Sequence, residues 1–318
     1  GEEKPFSRKV FPPFPRDSAQ EQAMRKELII LSGFLGSGKT TLLRRLLEAN
    51  RDRRIAVLLN DFGDVPVDGA ILRRAGVEGG VLVEIGGGSV FCACLREPFV
   101  KALTGMAERD EDMVIVEASG MSDPATIGRM LTLSGLDAVY AHAATLCLFD
   151  PVKSLKLARV LEVIPRQLAA ATVAVITKAD VASPEELEAA RAYIREKEPD
   201  LPVLESRNGL VSLAGLPRRE ARQLFAFGLN TPETRPDSFT LETVRTGLDP
   251  LLDALRGAED VLRVKGCVRA ADGMWFVSDT GRDFEVEATP ETPVPLTVIC
   301  MKGTAPNVRR MLQTAGIV

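Results

Sequence analysis

The sequence predicts an α/β protein in which a doubly wound, mostly parallel sheet is followed by a smaller α+β domain. Up to about residue 208, short apolar runs typical of buried strands alternate with amphipathic helical patterns, which indicates a parallel sheet covered by helices on both faces. After residue 238, strand-like runs predominate. The length of 318 residues also suggests about two domains, at ~150 residues each.

Changes in composition indicate the domain boundaries. Residues 1–26 contain four prolines and many charges without a sustained period, so we expect a poorly ordered N-terminal arm. Residues 27–208 form the predicted first domain. Between 209 and 237 the periodic pattern weakens and prolines recur, which indicates a linker. Residues 238–318 then form the predicted C-terminal domain.

The elements of both domains are predicted in chain order. In the first domain, strands are expected at 28–31, 55–59, 81–85, 113–116, 145–149, 173–176 and 202–204. Helices are expected from 41, and at 97–108, 125–133, 155–170 and 184–197. The last of these has a typical start, with Ser183 as N-cap before Pro184. In the second domain, strands are expected at 239–245, 261–269, 274–278, 284–287 and 296–300, and a helix at 306–314.

Residues 33–40 read Gly-Phe-Leu-Gly-Ser-Gly-Lys-Thr and match the pattern G-x-x-x-x-G-K-[ST] between a predicted strand and a predicted helix. Glycines let backbone N–H groups converge on phosphate oxygens, and the helix N-terminus adds positive potential. The lysine is placed to reach the outer phosphates, and the threonine to offer its hydroxyl to Mg²⁺. The predicted phosphate-binding residues are Gly33, Gly36, Ser37, Gly38, Lys39, Thr40 and Thr41. The chain is therefore expected to bind a nucleoside triphosphate.

A second motif indicates which base is bound. Thr177-Lys178-Ala179-Asp180 follows a predicted strand and is similar to the N-K-x-D element of GTPases, with Thr in place of Asn. The carboxylate of Asp180 can accept two N–H donors that guanine presents together and adenine does not, so GTP is favoured over ATP. A polar turn is the alternative for so short a match, but its position at a strand end favours base binding. Ser206 is a further candidate for the base edge.

A third motif lies where the apolar run 113–116 ends in Glu117, with Gly120 three positions later. Strand ends line the ligand crevice of an open α/β sheet. Glu117 is thus placed to hold a Mg²⁺-bound water or to orient the attacking one, and the N–H of Gly120 to sense the γ-phosphate. A capping Glu in a strand-to-helix turn is the alternative. The predicted catalytic residues are Lys39, Glu117 and Gly120.

Composition argues against several classes of protein. Lys and Arg number 40 against 44 Asp and Glu, a net charge of −4, and no basic run is interleaved with aromatics, so nucleic acid is not an expected partner. No apolar stretch approaches the ~20 residues that span a bilayer, and the N-terminus lacks a signal pattern, so we expect no membrane association and a cytoplasmic location. Five scattered cysteines fit reduced thiols.

Together, five segments resemble the CobW-like P-loop GTPases, a family related to the nickel-insertion GTPases of hydrogenase and urease maturation. The segments are Gly-Phe-Leu-Gly-Ser-Gly-Lys-Thr-Thr, Leu-Asn-Asp-Phe-Gly-Asp, Val-Glu-Ala-Ser-Gly-Met-Ser-Asp-Pro, Thr-Lys-Ala-Asp and Arg263-Val264-Lys265-Gly266. The resemblance covers the chain from about Lys26 to Val318. It implies a P-loop NTPase fold and a metallochaperone or metalloenzyme activator, in which GTP binding and hydrolysis gate metal delivery to a client.

The sequence departs from that family at its metal motif, C-x-C-C, because the matching place contains only Cys92-Ala93-Cys94. Two thiolates can bind Zn²⁺, Co²⁺ or Ni²⁺, but a closed tetrahedral site needs two more ligands. The candidates are Asp61, Asp64 or a group of the client, since the one histidine, His142, is expected to be a surface or hydrogen-bonded residue. The alternative is a pair of small residues in a glycine-rich loop that binds no metal.

The predicted function is a Mg²⁺-dependent GTPase switch, in which Thr40 with Asp61 or Glu117 holds Mg²⁺ and hydrolysis releases residues 60–68 and 117–123. No arginine finger or catalytic Gln is evident, so unassisted turnover is expected to take on the order of minutes or longer. Two alternatives stay open: a metal-free, GTP-dependent protein that binds and activates a client, and an ATP-dependent small-molecule kinase, which Asp180 disfavours. The client and the oligomeric state, a homodimer included, are also open.

Overall fold

The structure is a computed structural model. It describes residues 25–60, 82–85, 96–216, 236–290 and 294–318. Almost all of the predicted N-terminal arm and most of the predicted linker lie outside these residues, so the domain boundaries stay predictions. Of the predicted linker, Leu216 is buried in the same apolar cluster as Leu42 and Val57 of the first domain.

Seven parallel strands form the larger sheet. They are β1 (Lys26–Gly33), β2 (Ile55–Asn60), β3 (Leu82–Ile85), β4 (Met113–Glu117), β5 (Tyr140–Phe149), β6 (Val173–Ile176) and β7 (Val203–Glu205). Their order is β3-β2-β4-β1-β5-β6-β7. β1 has strands on both sides that follow it in sequence, so the crevice expected in such a sheet lies at the carboxyl end of β1.

Helices cover both faces of this sheet, which is why its inner strands are continuously apolar. They are α1 (Lys39–Ala49), α2 (Arg96–Ala107), α3 (Ile127–Ser134), α4 (Lys153–Leu157), α5 (Val163–Ala170) and α6 (Pro184–Lys197). Each longer helix buries one apolar stripe; α1, for example, buries Leu42, Leu43 and Leu46. α6 begins with a capping box between Ser183 and Glu186, as its sequence predicts.

The C-terminal part forms an antiparallel sheet of five strands in the order β11-β10-β9-β12-β8. The strands are β8 (Asp237–Leu241), β9 (Val261–Ala270), β10 (Gly273–Asp279), β11 (Phe284–Ala288) and β12 (Leu296–Cys300). Two helices, α7 (Leu248–Arg256) and α8 (Ala305–Thr314), pack their leucines with Val264, Val298 and Cys300 in one core. The predicted fold class, a parallel α/β sheet followed by a smaller α+β domain, is therefore confirmed.

One predicted helix is wrong and one helix of the structure was missed. The single helix expected at 155–170 is wrong, because α4 ends at Leu157 and α5 begins only at Val163. Pro165 explains the break, since proline is tolerated in the first turn of a helix but not in its interior. The helix α7 was not predicted, although its leucines recur at helical spacing. Among the described helices, none is both long enough and apolar enough to cross a membrane.

Candidate nucleotide site

The loop between β1 and α1 has the backbone conformation that its glycines predict. Gly33, Gly36 and Gly38 have φ angles of 129°, 77° and 94°, which side chains with a Cβ rarely adopt. A Cβ on Gly33 would also lie 2.3 Å from the carbonyl oxygen of Leu148 on β5. Within the described residues no side chain caps α1, so the N–H groups of its first turn are available to an anion.

Lys39, Thr40 and Glu117 meet at the carboxyl ends of β1 and β4. Lys39 is buried, and its Nζ donates to the carbonyl oxygens of Gly33 at 2.9 Å and Phe34 at 3.1 Å. The hydroxyl of Thr40 donates to Glu117 Oε1 at 2.8 Å, and Glu117 is only 3% exposed. A hydroxyl and a carboxylate are hard oxygen ligands, so this pair fits a Mg²⁺ ion.

The predicted base-binding segment is tied to the phosphate-binding loop. Thr177 Oγ1 donates to the carbonyl oxygen of Ser37 at 2.8 Å. Lys178 Nζ donates to the carbonyl oxygen of Gly36 at 2.9 Å and to Asp150 Oδ2 at 2.6 Å. Asp180 is exposed, and its Oδ1 accepts a hydrogen bond from the backbone N–H of Asn208 at 2.9 Å. The predicted phosphate-binding loop and the segment with the predicted base-binding carboxylate are therefore joined by hydrogen bonds.

One cavity of about 450 Å³ joins these groups, within the ~300–1,000 Å³ usual for ligand sites. Of the predicted site residues, those that line it are Gly36, Gly38, Lys39, Thr40, Thr41, Glu117, Thr177, Lys178 and Asp180. The remaining described ones are Gly33, Ser37, Gly120 and Ser206, which lie outside its lining. Ser37 and Ser206 are buried, and neither hydroxyl has a hydrogen-bond partner among the described residues.

The predicted transition-metal ligands cannot be placed. Asp61, Asp64, Cys92 and Cys94 all lie outside the described residues. Within the ranges that the structure does cover, no group of three or more His, Cys, Asp or Glu could hold a metal ion. His142 Nε2 lies 2.8 Å from Thr145 Oγ1, and burial lowers the pKa of the imidazole to about 4.

The buried cysteines behave as core residues. Cys147 on β5 and Cys300 at the end of β12 are free thiols with almost no exposed surface. Burial raises the pKa of Cys147 to about 12 and that of Cys300 to about 11, so both are thiols at neutral pH.

Sequence reasoning missed several residues of the site. Asp150 follows β5 and binds Lys178, and a polar residue after a buried strand is the signal that could have found it. The C-terminal sheet also lines the cavity, with Arg263, Lys265 and Arg282 among its residues. Arg263 and Lys265 belong to a segment that resembles the family, but no role in the site followed from that segment, and Arg282 stands in none of the quoted motifs. Their place at the cavity depends on how the C-terminal sheet packs on the first domain, which no local pattern contains.

Comparison with known proteins identifies the family. The model of the CobW/HypB/UreG nucleotide-binding domain matches residues 27–205, which is more than half of the chain. The chain belongs to this family. The predicted family, and with it the class of P-loop GTPase, is thus confirmed.

Similar proteins are known across the family. The zinc chaperone YeiR of Escherichia coli (strain K12) is 30% identical over 296 residues, which cover 83% of this chain and 89% of YeiR. The zinc-regulated GTPase metalloprotein activator 1 of Dictyostelium discoideum is 38% identical over 114 residues, 32% of this chain and 24% of that protein. The structure of Zn(II)-bound YjiA GTPase from E. coli aligns with 92% of this chain and 99% of its own at 20% identity, with a TM-score of 0.46.

Proposed function

We propose that this CobW/HypB/UreG family member is a Mg²⁺-dependent GTP switch that delivers a metal ion, zinc in the first instance, to a client protein in the cytoplasm. The main support is the cavity of about 450 Å³ that joins the phosphate-binding loop, Glu117 and the exposed carboxylate of Asp180. A site with a phosphate cradle at one end and a base-reading carboxylate at the other suits a guanine nucleotide better than a small substrate.

Different residues of the chain bind the phosphates, the Mg²⁺ ion, the attacking water and the base. The N–H groups at the start of α1 and the ammonium of Lys39 bind the phosphates, and both are already in place around the loop. Thr40 and Glu117 would hold Mg²⁺, which supplies charge neutralisation on the phosphates. Glu117, buried beside Thr40, also orients the attacking water. Asp180 accepts the N–H donors of guanine, and the N–H of Gly120 senses the γ-phosphate.

Zinc is the first cargo to test because two relatives bear zinc in their names, the chaperone YeiR and the zinc-regulated activator. The proposed ligands are the thiolates of Cys92 and Cys94, completed by Asp61, Asp64 or a client group. Co²⁺ and Ni²⁺ have similar ligand preferences and belong in the same test. The client and a homodimeric state are further parts of the proposal.

The nucleotide half is tested by measuring affinities for GTP, GDP and ATP analogues. We expect a clear preference for GTP that Asp180→Ala removes, because the two guanine N–H donors then lose their acceptor. Asp200→Ala removes an exposed carboxylate three residues after the end of α6 and is the matched control. Hydrolysis should need Mg²⁺ and be slow, on the order of minutes per turnover. A preference for ATP would favour the kinase alternative instead.

The metal half is tested by titrating the reduced protein with Co²⁺, whose thiolate absorption reports the ligands directly. Binding at one ion per chain that is lost in Cys92→Ser/Cys94→Ser and changes with nucleotide supports the chaperone. The control is Cys267→Ala, which removes a buried thiol on β9. Absence of thiolate absorption in every nucleotide state would favour the metal-free client activator.

A further inference from the structure

The C-terminal sheet forms the second wall of the nucleotide cavity. Besides the loop residues of the first domain, the cavity is lined by side chains of β9, β10 and the β10–β11 hairpin. These residues are Arg263, Lys265, Ser278, Asp279, Thr280, Arg282 and Glu285. Two of the three cations in this set, Arg263 and Lys265, come from adjacent positions of one strand face.

Strand register shows whether Arg263 and Lys265 lie on the side of the sheet that meets the first domain. Arg263 pairs with Ile299 of β12, and Lys265 pairs with Thr297 of β12 and Ser278 of β10. Paired residues of neighbouring strands lie on the same face of a sheet. Ile299 packs in one apolar cluster with Phe34 of the phosphate-binding loop. Arg263 and Lys265 therefore lie on the face that is turned towards the first domain, opposite the face covered by α7 and α8.

Contacts of the β10–β11 hairpin fix this face against the loop. The ammonium of Lys153 lies 2.6 Å from a carboxylate oxygen of Asp279. Lys178, which also binds the carbonyl oxygen of Gly36, donates to the carbonyl oxygen of Thr280. Arg282 pairs with Glu186 at the start of α6. The hairpin thus touches both the phosphate-binding and the base-binding segment.

The lining of the cavity includes five cationic side chains and four carboxylates. Burial lowers the pKa of Lys153, and the positive charges of Lys178 and Arg263 lower it further, while Asp279 opposes both. The ammonium of Lys39 belongs to the same lining and lies against the carbonyl oxygens of Gly33 and Phe34. A polyanion placed among these groups would relieve their repulsion.

We propose that Arg263 and Lys265 bind the outer phosphates of GTP from the side opposite the phosphate-binding loop, so that the C-terminal sheet is part of the nucleotide site. The inference rests on the proposed binding of GTP at that loop. Charge-assisted hydrogen bonds from a guanidinium and an ammonium recognise phosphate oxygens. Loss of the γ-phosphate removes a ligand of the sheet, which is how the C-terminal domain would sense hydrolysis.

The test compares affinities for a non-hydrolysable GTP analogue and for GDP in the full chain. Arg263→Gln removes the charge while keeping most of the apolar stem, and Lys265→Met does the same for the ammonium. Each is expected to weaken the GTP analogue about tenfold or more and GDP by about threefold or less. Arg269→Gln is the matched control, because Arg269 lies exposed on the same strand outside the cavity lining. Fluorescence of Trp275 on β10 reports whether each variant keeps its sheet folded.

The outcomes separate this inference from the proposed function. If the wild-type protein binds no GTP, the proposed function fails and the inference with it. If the wild-type protein binds GTP, Lys39→Ala abolishes binding and Arg263→Gln behaves like Arg269→Gln, the inference alone is overturned. Equal losses for GTP and GDP would also overturn it, because the contact would then not involve the outermost phosphate.

Discussion

The ion pair between Lys153 and Asp279 gives the sharpest prediction for stability. Its two charged groups are 2.6 Å apart and only 12% and 15% exposed, so water screens them poorly. Breaking such a pair leaves one buried charge uncompensated, at a cost of about 3–5 kcal/mol when burial is complete. Because both side chains keep some exposure, and because an Asn can still accept the hydrogen bond from Gly281 N–H, we expect Asp279→Asn to cost about 2–3 kcal/mol.

The assay is a double-mutant cycle with Asp279→Asn, Lys153→Met and the double variant. Urea unfolding is followed by fluorescence of Trp275, the one tryptophan of the chain, which lies on the same strand as Asp279. The coupling free energy should be about 2 kcal/mol. Asp283→Asn is the control, because Asp283 pairs with Arg256 at 2.7 Å but is 65% exposed. That variant should leave the unfolding midpoint unchanged.

A coupling below about 0.5 kcal/mol would refute the reasoning, since that is the value typical of exposed pairs. The hairpin would then be held by its other contacts, and burial of this pair would contribute little to the position of the C-terminal sheet.

Three further predictions concern single residues. Thr40→Val should leave the fold intact but lower Mg²⁺-dependent GTP hydrolysis about tenfold or more, measured as rate against Mg²⁺ concentration, because it removes the hydroxyl beside Glu117. Gly120→Ala should lower the free energy of unfolding by about 1–3 kcal/mol, because the added Cβ would lie 2.6 Å from the backbone nitrogen of Leu35. The control is Gly105→Ala in α2, where the added Cβ meets no atom within 4 Å and the free energy of unfolding should stay the same or rise. Burial lowers the pKa of His142 from about 6.5 to about 4, so between these values the unfolded chain binds a proton that the folded chain does not. The free energy of unfolding should therefore decrease, by at most about 3 kcal/mol, as the pH is lowered through this window. Urea unfolding of His142→Gln should lack this part of the pH dependence.

The larger sheet was predictable because its signals are local. Each inner strand is a short apolar run, and the loop at 33–40 has a pattern that fixes both the strand before it and the helix after it. The same local signal predicted roles for Glu117, the last residue of β4, and for Asp180, four residues after β6. Errors occurred where two signals compete, as at 155–170, where a continuous helical pattern hides the break before Pro165.

The opposite wall of the site was not predictable in this way. Arg263 and Lys265 alternate with apolar residues on a strand, a pattern that usually indicates a solvated face. Only the pairing of β9 with β12, and the packing of Ile299 against Phe34, shows that this face meets the first domain. Such information comes from contacts distant in sequence, and no single segment contains it.

Lys178 links the predicted phosphate-binding loop to the C-terminal sheet. Its φ angle of 55° is rare for a residue with a Cβ, and its ammonium bonds to Gly36, Asp150 and Thr280 at once. Strain at a site persists where surrounding contacts determine the conformation, and here those contacts come from the phosphate-binding loop, β5 and the hairpin. A nucleotide that displaces the carbonyl of Gly36 would therefore change a hydrogen bond of the same ammonium that contacts the hairpin.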